Sequence, residues 1–344
     1  MPGYERAMTD RALTDPALPA LRQLIDPSGA TRMLRAAWKV GLWPPGLPAP
    51  EVRAVHVLRY HAGSRCTLWL ALDGWPASSC IAKIHRRGNE ATADVLRRLS
   101  HAGFASGQCE RVPELVAALP DCHLLVLQVA PGAPIHRLTP DALPEAAVRA
   151  AYWLAAFHST CLSLPPAYAL RHPLVMARRW HARLERAAPE LADDAAHLWD
   201  ALVAASPAWP PQARLIHGDF GAEHLFIAPD ATTVIDWDRC RPGDQVEDAG
   251  RFVGSLYARA ARERAGATEM AAAAASFCAA YCGAQPAAAA SLPFYVALAC
   301  LRRASRAACA GADDRDTAGS ARYRRRAARL ARAGQATLAT IAWT

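Results

Sequence analysis

A change of hydrophobic pattern partway along the chain is the strongest constraint on its fold. Before about residue 130, short apolar runs such as Val55–Tyr60, Cys66–Leu72 and Cys80–His85 predict β-strands separated by hairpin-length loops. After about residue 140, long segments rich in alanine and leucine carry apolar residues at helical spacing. The pattern predicts an α+β protein in which a small strand-rich part precedes a larger helical part.

The same pattern suggests three regions. Residues 1–50 are predicted to form a helical extension and a linker, because a break at 26–29 separates two short helices and prolines crowd residues 44–50. Residues 51–130 form the strand-rich lobe, which also contains a helix over Glu90–Leu99 and ends in the apolar strand Leu124–Val129. Residues 131–344 form the helical lobe, and the junction of two such lobes is a natural ligand cleft.

The positive charge of the chain belongs to its C-terminal third. Residues 251–344 hold fourteen arginines and five acidic residues. The net positive charge of this region therefore exceeds the net charge of +8 for the whole chain. Such a region suits anionic partners, and a solvated helix face is the alternative. Nucleic acid is not expected as a partner, because only Tyr323 supplies an aromatic ring among the clustered arginines.

Residues 270–300 carry no charge and could be mistaken for a membrane span. Gly283, Pro286 and Pro293 interrupt them, so two packed helices in a soluble protein are favoured and no membrane contact is expected.

Charged residues within the first twenty positions argue against a secretory leader, which predicts a cytoplasmic protein. The ten cysteines show no CxxC spacing of the kind that binds zinc.

Two carboxylates near the middle of the chain indicate the chemistry. Asp219 and Asp236 are 17 residues apart, and each lies beside a short β-like segment with a turn between them. Phosphoryl transfer needs one carboxylate to orient and deprotonate the attacking hydroxyl and another to hold the magnesium that bridges ATP phosphates. Two unrelated aspartates near a hairpin remain the alternative.

The motifs around these residues resemble those of the aminoglycoside phosphotransferase and choline kinase-like family. Residues 217–224 (HGDFGAEH) match its HGDxxxxN catalytic loop except at the last position, and residues 235–238 (IDWD), with the GD at 243–244, match its metal-binding segment. The resemblance implies a bilobal, protein-kinase-like fold. It also implies that Asp219 is the catalytic base, Asp236 the main metal ligand, Asp248 a buried carboxylate that braces the loop, and His217 a structural residue.

Lys83 lies in the third predicted strand, where a lysine is costly to bury unless it is paired. The resemblance implies that it holds the α- and β-phosphates of ATP, whereas a lysine reaching solvent from an edge strand is the alternative. Its acidic partner on the following helix is expected to be Glu90, with Asp94 as a second candidate.

Two backbone segments are expected to contact the nucleotide. The loop at 61–65 would cover the phosphates through Gly63, Ser64 and nearby N–H groups, although an ordinary hairpin turn would read the same way. The strand that ends before Pro131 resembles the hinge between lobes, where backbone groups of about Gln128 and Ala130 would contact the adenine edge.

His224 replaces the asparagine that supplies a metal ligand in the resembling family. Magnesium prefers oxygen ligands, and imidazole suits softer transition metals. Three consequences follow: one magnesium held mainly by Asp236, a manganese preference with His224 as a ligand, or a weakened enzyme. We favour the first.

The sequence therefore predicts an ATP- and Mg²⁺-dependent phosphotransferase that acts on a hydroxyl group of a small molecule, with Mn²⁺ as the alternative metal. A neutral or anionic acceptor is favoured over a polycationic aminoglycoside, because the C-terminal third is basic. Two alternatives stay open: an aminoglycoside phosphotransferase, and an inactive nucleotide-binding pseudokinase that acts as a sensor or scaffold.

Overall fold

The computed structural model of the protein describes residues 14–43, 45–75, 78–160, 162, 170–209, 212–263, 266–314 and 317–339. The chain divides into two compact units. The first combines Met1–Ala133 with Ala228–Asp238, and the second combines Pro134–Ile227 with Arg239–Thr344. The first unit therefore includes residues 228–238, which lie far along the chain from the rest of it.

The α+β composition predicted from the sequence is confirmed by the secondary structure. The strands in the described residues are β1 (Glu51–His61), β2 (Arg65–Asp73), β3 (Ser79–His85), β4 (Glu110–Arg111), β5 (Leu115–Leu119), β6 (Leu124–Gln128), β7 (Ala133–Pro134), β8 (Arg214–Ile216), β9 (Leu225–Ala228), β10 (Ala231–Val234) and β11 (Arg241–Gly243). The α-helices are α1 (Leu21–Leu24), α2 (Pro27–Lys39), α3 (Glu90–Leu99), α4 (Leu143–His158), α5 (Pro173–Ala187), α6 (Ala192–Ala204), α7 (Val246–Arg262), α8 (Ala267–Ala284), α9 (Leu292–Asp313) and α10 (Thr317–Ala339).

A five-stranded antiparallel sheet forms the centre of the first unit, with the order β1-β2-β3-β6-β5. Side chains alternate between its faces, so Cys80, Ala82 and Ile84 of β3 lie in the hydrophobic core. Lys83, between two of them, belongs to the opposite face and pairs in register with Thr67 of β2 and Leu125 of β6. The lysine is therefore held by strands on both sides.

The N-terminal helices belong to this first unit. Asp26 caps α2 by accepting a hydrogen bond from the Gly29 amide at 2.8 Å, and Pro27 occupies the first helical turn. Leu24 and Leu34 are fully buried in the same hydrophobic core as the sheet residue Leu68. These helices therefore complete the core of the strand-rich unit.

The segment 228–238 is attached to the first unit by a parallel strand pair. Thr232 of β10 pairs with Glu110 of β4, and its amide donates to the Cys109 carbonyl at 2.8 Å. The guanidinium of Arg111 lies 2.6 Å from the Asp230 carboxylate at the start of β10. These contacts fix the chain that carries Asp236 in the first unit.

The second unit is mainly helical. Its core contains neighbouring aromatic rings: Phe252 stacks on Phe277 at 4.4 Å and lies tilted against Phe220 at 5.8 Å, measured between ring centroids. Close helix contact depends on glycine, since a Cβ added at Gly254 of α7 would lie 2.6 Å from the Cβ of Ala299 on α9.

The uncharged stretch at 270–300 is divided between α8 and α9, as the interrupted pattern predicts. Within the described residues, none of the helices is both long and apolar enough to cross a membrane.

Candidate active site

The loop at 217–224 follows β8, which pairs with β11 in a short antiparallel ladder. Gly218 adopts a φ of +75°, a conformation that favours glycine, and a side chain there would press on the Arg239 carbonyl. Phe220 is fully buried and stacks on Trp153 at 5.8 Å between ring centroids. The loop is thus anchored in the aromatic core immediately beside Asp219.

Asp248, near the start of α7, braces the beginning of this loop. Its buried carboxylate accepts hydrogen bonds from the amides of His217 at 2.6 Å and Gly218 at 2.9 Å. Burial acts to raise the pKa of the Asp248 carboxyl, but the neighbouring His158 ring and the His217 amide hold it below its ordinary value. The Asp248 carboxylate is therefore held in its charged form against the start of the loop.

The two histidines of the loop both contact the backbone of Asp219. The Asp219 amide donates to Nδ1 of His217 at 3.2 Å, and Nδ1 of His224 lies 2.9 Å from the Asp219 carbonyl. Because a carbonyl only accepts, Nδ1 of His224 must carry the proton, and the neutral ring then has its lone pair on Nε2. His217 is fully buried.

Three arginines surround the carboxylate of Asp219. Arg302 donates to its Oδ1 at 3.1 Å. Arg251 lies 3.6 Å from Oδ1, and Arg239 lies 3.6 Å from Oδ2. About a quarter of the Asp219 side chain, 26%, stays exposed. The carboxylate is therefore oriented by positive charge while remaining accessible.

A second group of candidate residues lies in the first unit. Nζ of Lys83 donates to Asp236 Oδ1 at 2.6 Å and to both carboxylate oxygens of Asp238 at 3.1 Å. Burial acts to lower the pKa of Lys83, but the two carboxylates outweigh it and raise the pKa above its ordinary value. The structure thus joins a strand lysine to two aspartates more than 150 positions away.

The backbone at Asp236 is in an unusual conformation, with a φ of +69°. Left-handed non-glycine residues are uncommon and concentrate at functional sites, although aspartate tolerates this region better than most residues. Asp238 is more deeply buried, and its carboxylate lies 3.5 Å from Arg65 and 3.1 Å from His85. Asp238 therefore contacts basic side chains of β2 and β3, while Asp236 carries the strained backbone.

The expected partner of Lys83 on α3 is not observed. Glu90 is an exposed residue at the start of that helix, and Asp94 lies 3.6 Å from Arg98. In the described part of the chain neither carboxylate pairs with Lys83, because Asp236 and Asp238 occupy its ammonium group. Asn89 instead donates to the Lys83 carbonyl at 3.0 Å and so fixes the strand rather than the side chain.

The loop at 61–65 connects β1 and β2 as expected. Gly63 has a φ of +67°, and its amide donates to the Asp15 carboxylate at 2.7 Å. The hydroxyl of Tyr60 donates to the same carboxylate oxygen at 3.0 Å. The Ser64 amide donates to the His61 carbonyl at 3.0 Å within the turn. The Asp15 carboxylate thus accepts a hydrogen bond from the Gly63 amide, which the resemblance implies would contact phosphate.

A cavity of about 230 Å³ lies beside the end of β6 in the first unit. Gln128, Ala130 and Thr233 are among the residues that line it. The Gln128 amide donates to the Glu114 carbonyl at 2.9 Å, so it is already engaged. Gln128 and Ala130 therefore border this cavity, and within the described residues the Ala130 amide has no backbone partner.

The resemblance implies a bound Mg²⁺ ion, and the side chains of the site can be assessed as its ligands. Among the described residues no cluster of three or more His, Cys, Asp or Glu side chains forms a complete metal cage. Magnesium in nucleotide sites keeps several waters and uses one or two carboxylates plus phosphates, so a full cage is not needed. Asp236 and Asp238 supply oxygen ligands of the right kind, and the donor set fits Mg²⁺.

Neither the arginines around Asp219 nor the burial of Asp238 was predicted from the sequence. The excess of arginine after residue 250 signals basicity, but it does not single out Arg251 or Arg302. Asp238 stands in the IDWD motif without an assigned role, because its contacts to β2 and β3 come from the tertiary fold.

Comparisons with known proteins agree with the fold. The structure resembles a putative aminoglycoside phosphotransferase from Ralstonia eutropha JMP134, with a TM-score of 0.59 and 17% identity over 90% of this chain and 98% of that one. It also resembles a choline kinase from Cryptosporidium parvum Iowa II, with a TM-score of 0.56 and 11% identity over 92% and 98% of the two chains. A choline/ethanolamine kinase family protein from Mesorhizobium loti gives a TM-score of 0.53 and 20% identity over 91% and 99%.

No curated protein matches the sequence. The solved structures share the bilobal kinase-like fold, and at these identities they establish the fold alone. A sequence model of the APH phosphotransferase enzyme family matches residues 69–292, which is well over half of the chain. The matched region includes Lys83, the loop with Asp219 and the segment with Asp236. The chain therefore belongs to the phosphotransferase enzyme family.

Proposed function

We propose that the protein transfers the γ-phosphoryl group of ATP to a hydroxyl group of a small molecule. The observation that carries this proposal is the contact of 2.6 Å between Nζ of Lys83 and Oδ1 of Asp236. Burying a lysine is costly unless it is paired, and this pair joins the residue expected to hold phosphates to the residue expected to hold metal. A purely structural ion pair would not require a left-handed backbone at Asp236.

In the proposed reaction Asp219 orients the acceptor hydroxyl and receives its proton. The acceptor oxygen forms a bond to the γ-phosphorus, the bond from that phosphorus to the bridging oxygen of ADP breaks, and ADP leaves with the electron pair. Arg302 fixes the carboxylate of Asp219 through its hydrogen bond of 3.1 Å. Lys83 neutralises phosphate charge, which is where positioned cations lower the barrier most.

Mg²⁺ is the proposed metal, and when bound it would neutralise the β- and γ-phosphate oxygens. Asp236 would be its main protein ligand, since a carboxylate suits a hard cation. His224 is assigned a supporting place, because its Nδ1 is committed to the Asp219 carbonyl.

The nucleotide base is assigned to the 230 Å³ cavity beside β6. Since the Gln128 amide is engaged, its carbonyl would accept from the adenine amino group, and the Ala130 amide would donate to the ring. An aminoglycoside phosphotransferase with 15% identity to this chain has been solved with ADP and hygromycin B. Gly63 and Ser64 would contact the phosphates once the Asp15 carboxylate yields the Gly63 amide.

A neutral or anionic acceptor is proposed over an aminoglycoside. Arg239, Arg251 and Arg302 all lie within 3.6 Å of the Asp219 carboxylate. A polycation approaching this carboxylate would meet like charge, which disfavours the wrong partner. A panel containing kanamycin-like compounds, neutral sugars and sugar phosphates tests this preference, and efficient turnover of the aminoglycosides alone would contradict it.

Two measurements test the proposed function: one follows ATP binding, and the other follows turnover of the acceptor. We expect ATP with Mg²⁺ to raise the melting temperature of the protein, and we expect ADP release to depend on an added acceptor. Lys83→Met should weaken both responses, and Arg53→Met, an exposed arginine on β1, is the matched control. ATP binding without turnover of any acceptor would instead favour a pseudokinase.

A further inference from the structure

The second unit contains a cavity of about 350 Å³ between α7, α9, α10 and the loop that carries Asp219. Its volume is in the range of sites for small organic molecules. Five arginines line it: Arg259, Arg262, Arg303, Arg306 and Arg326. Ala258, Ala307 and Ala310 form small apolar walls that leave room between the guanidinium groups.

The arginines of this basic cavity outnumber its acids. Glu223 is the one carboxylate among the lining residues, and it lies 3.4 Å from Arg303. Arg259 and Arg262 share Glu263, which is 2.9 and 2.6 Å from them. These three arginines therefore have local counter-charges.

The remaining two arginines have no carboxylate as a counter-charge within the described residues. In the described part of the chain neither Arg306 nor Arg326 forms an ion pair, and Nε of Arg326 is buried without a hydrogen-bond partner. A buried unsatisfied donor is costly, and guanidinium groups stay charged in proteins. Burial, together with the charges of Arg262 and Arg303, lowers the pKa of Arg326, which reflects the same crowding of positive charge. An anion in the cavity would relieve this cost.

The cavity adjoins the candidate catalytic loop. Ala222 and Glu223 are lining residues and lie three and four positions after Asp219, so the Cα atoms of Asp219 and Ala222 are at most about 11 Å apart. Consecutive residues of α9 contact the two ends of this stretch, because Arg302 donates to Asp219 and Arg303 lies beside Glu223. The Ala222 amide donates to the Ser255 hydroxyl at 3.0 Å, which fixes the floor of the cavity.

We propose that this basic cavity binds the phosphate group of a phosphorylated small-molecule acceptor and thereby presents its hydroxyl to Asp219. Guanidinium groups match phosphate in shape and charge through paired N–H donors. The acceptor role rests on the proposed phosphotransferase function, whereas anion binding by the cavity does not. A second cavity of about 540 Å³ shares Arg262, Tyr323 and Arg326 with the first, so larger phosphorylated ligands fit the same surface.

Calorimetric titration of the whole protein with glucose 6-phosphate, glucose and inorganic phosphate, without ATP, tests the site directly. We expect glucose 6-phosphate to bind more tightly than glucose and its binding to weaken with added salt. Arg306→Gln and Arg326→Gln should each weaken it by roughly 10- to 100-fold, the loss of charge-assisted hydrogen bonds. The matched control is Arg324→Gln, an exposed residue of α10 that pairs with Glu190 outside both cavities, and it should leave binding unchanged.

Equal affinity for glucose and glucose 6-phosphate, or an equal loss in Arg324→Gln, would overturn the site. Tighter binding of a short oligonucleotide through the same arginines would overturn its assignment to a small molecule. In steady-state kinetics the two cavity variants should raise KM for the phosphorylated acceptor and leave KM for ATP unchanged. Turnover of neutral acceptors with no binding of glucose 6-phosphate overturns this inference alone, whereas binding without turnover of any acceptor overturns the proposed function and the acceptor role together.

Discussion

Replacing Asp248 by alanine removes the acceptor for two buried amides of the candidate catalytic loop. The Asp248 carboxylate accepts from His217 at 2.6 Å and from Gly218 at 2.9 Å, and the Asp248 and His217 side chains are fully buried. Each buried donor left without an acceptor costs about 1–3 kcal/mol, so the two together should cost about 2–6 kcal/mol. This is a large part of the 5–15 kcal/mol typical of a folded domain.

The free energy of unfolding from urea denaturation measures this cost. Asp248→Asn keeps one oxygen acceptor and should lose less stability than Asp248→Ala. Asp200→Ala, an exposed aspartate on α6, is the control and should stay within about 0.5 kcal/mol of the parent. An unfolding free energy for Asp248→Ala within about 1 kcal/mol of the parent would refute the reasoning, because two orphaned buried amides cannot cost so little.

The pH dependence gives an independent check. The folded-state pKa of Asp248 is depressed, so its carboxylate contributes stability that is present above the unfolded-state pKa of about 3.9 and is lost as pH falls through the folded-state value. The difference in unfolding free energy between the parent and Asp248→Asn should therefore be largest above about pH 4 and shrink in more acidic solution. A difference that grows on acidification would contradict this assignment.

Three further predictions concern residues of the candidate site. Lys83→Met should lower kcat/KM for ATP by about 10²–10³-fold in steady-state assays, because it removes a positioned cation from the phosphates, and unchanged kinetics would contradict its role. His224→Asn should keep its activity with Mg²⁺ and show a lower ratio of Mn²⁺- to Mg²⁺-supported rates, and an enzyme inactive with both metals would show that His224 is required. Gly218→Ala should lower the unfolding free energy by about 1–3 kcal/mol, since φ is +75° and the Arg239 carbonyl blocks a side chain, whereas Gly283→Ala on α8 has open space and should be neutral or stabilising.

The elements of the fold were largely predictable because they depend on local periodicity. The strands around Lys83 and the loop at 61–65 follow from short apolar runs and turn residues within a few positions of one another. Strand β5 (Leu115–Leu119) was not predicted, since its Leu-Val-Ala-Ala-Leu sequence has no alternation and two alanines. Its place at the sheet edge comes from pairing with β6.

The contacts within the site were predictable only in part. Motif order predicted Asp219, Asp236 and Asp248 as site residues, and the family resemblance predicted an acid on the next helix as the partner of Lys83. The fold instead brings Asp236 and Asp238 to the lysine from more than 150 residues away. Such a pairing depends on how the chain returns to the first unit, and no local pattern encodes it.

The proposed phosphotransferase activity is tested by the transfer of labelled phosphate from [γ-³²P]ATP to a hydroxyl acceptor, compared between the parent and Asp219→Asn. We expect acceptor-dependent labelling by the parent and a fall of at least about 10²-fold in the variant, the contribution expected of a positioned general base. The variant should still bind ATP, because Lys83 and Asp236 are untouched. Labelling that persists at the parent rate in Asp219→Asn, or no labelling of any acceptor by the parent, would contradict it.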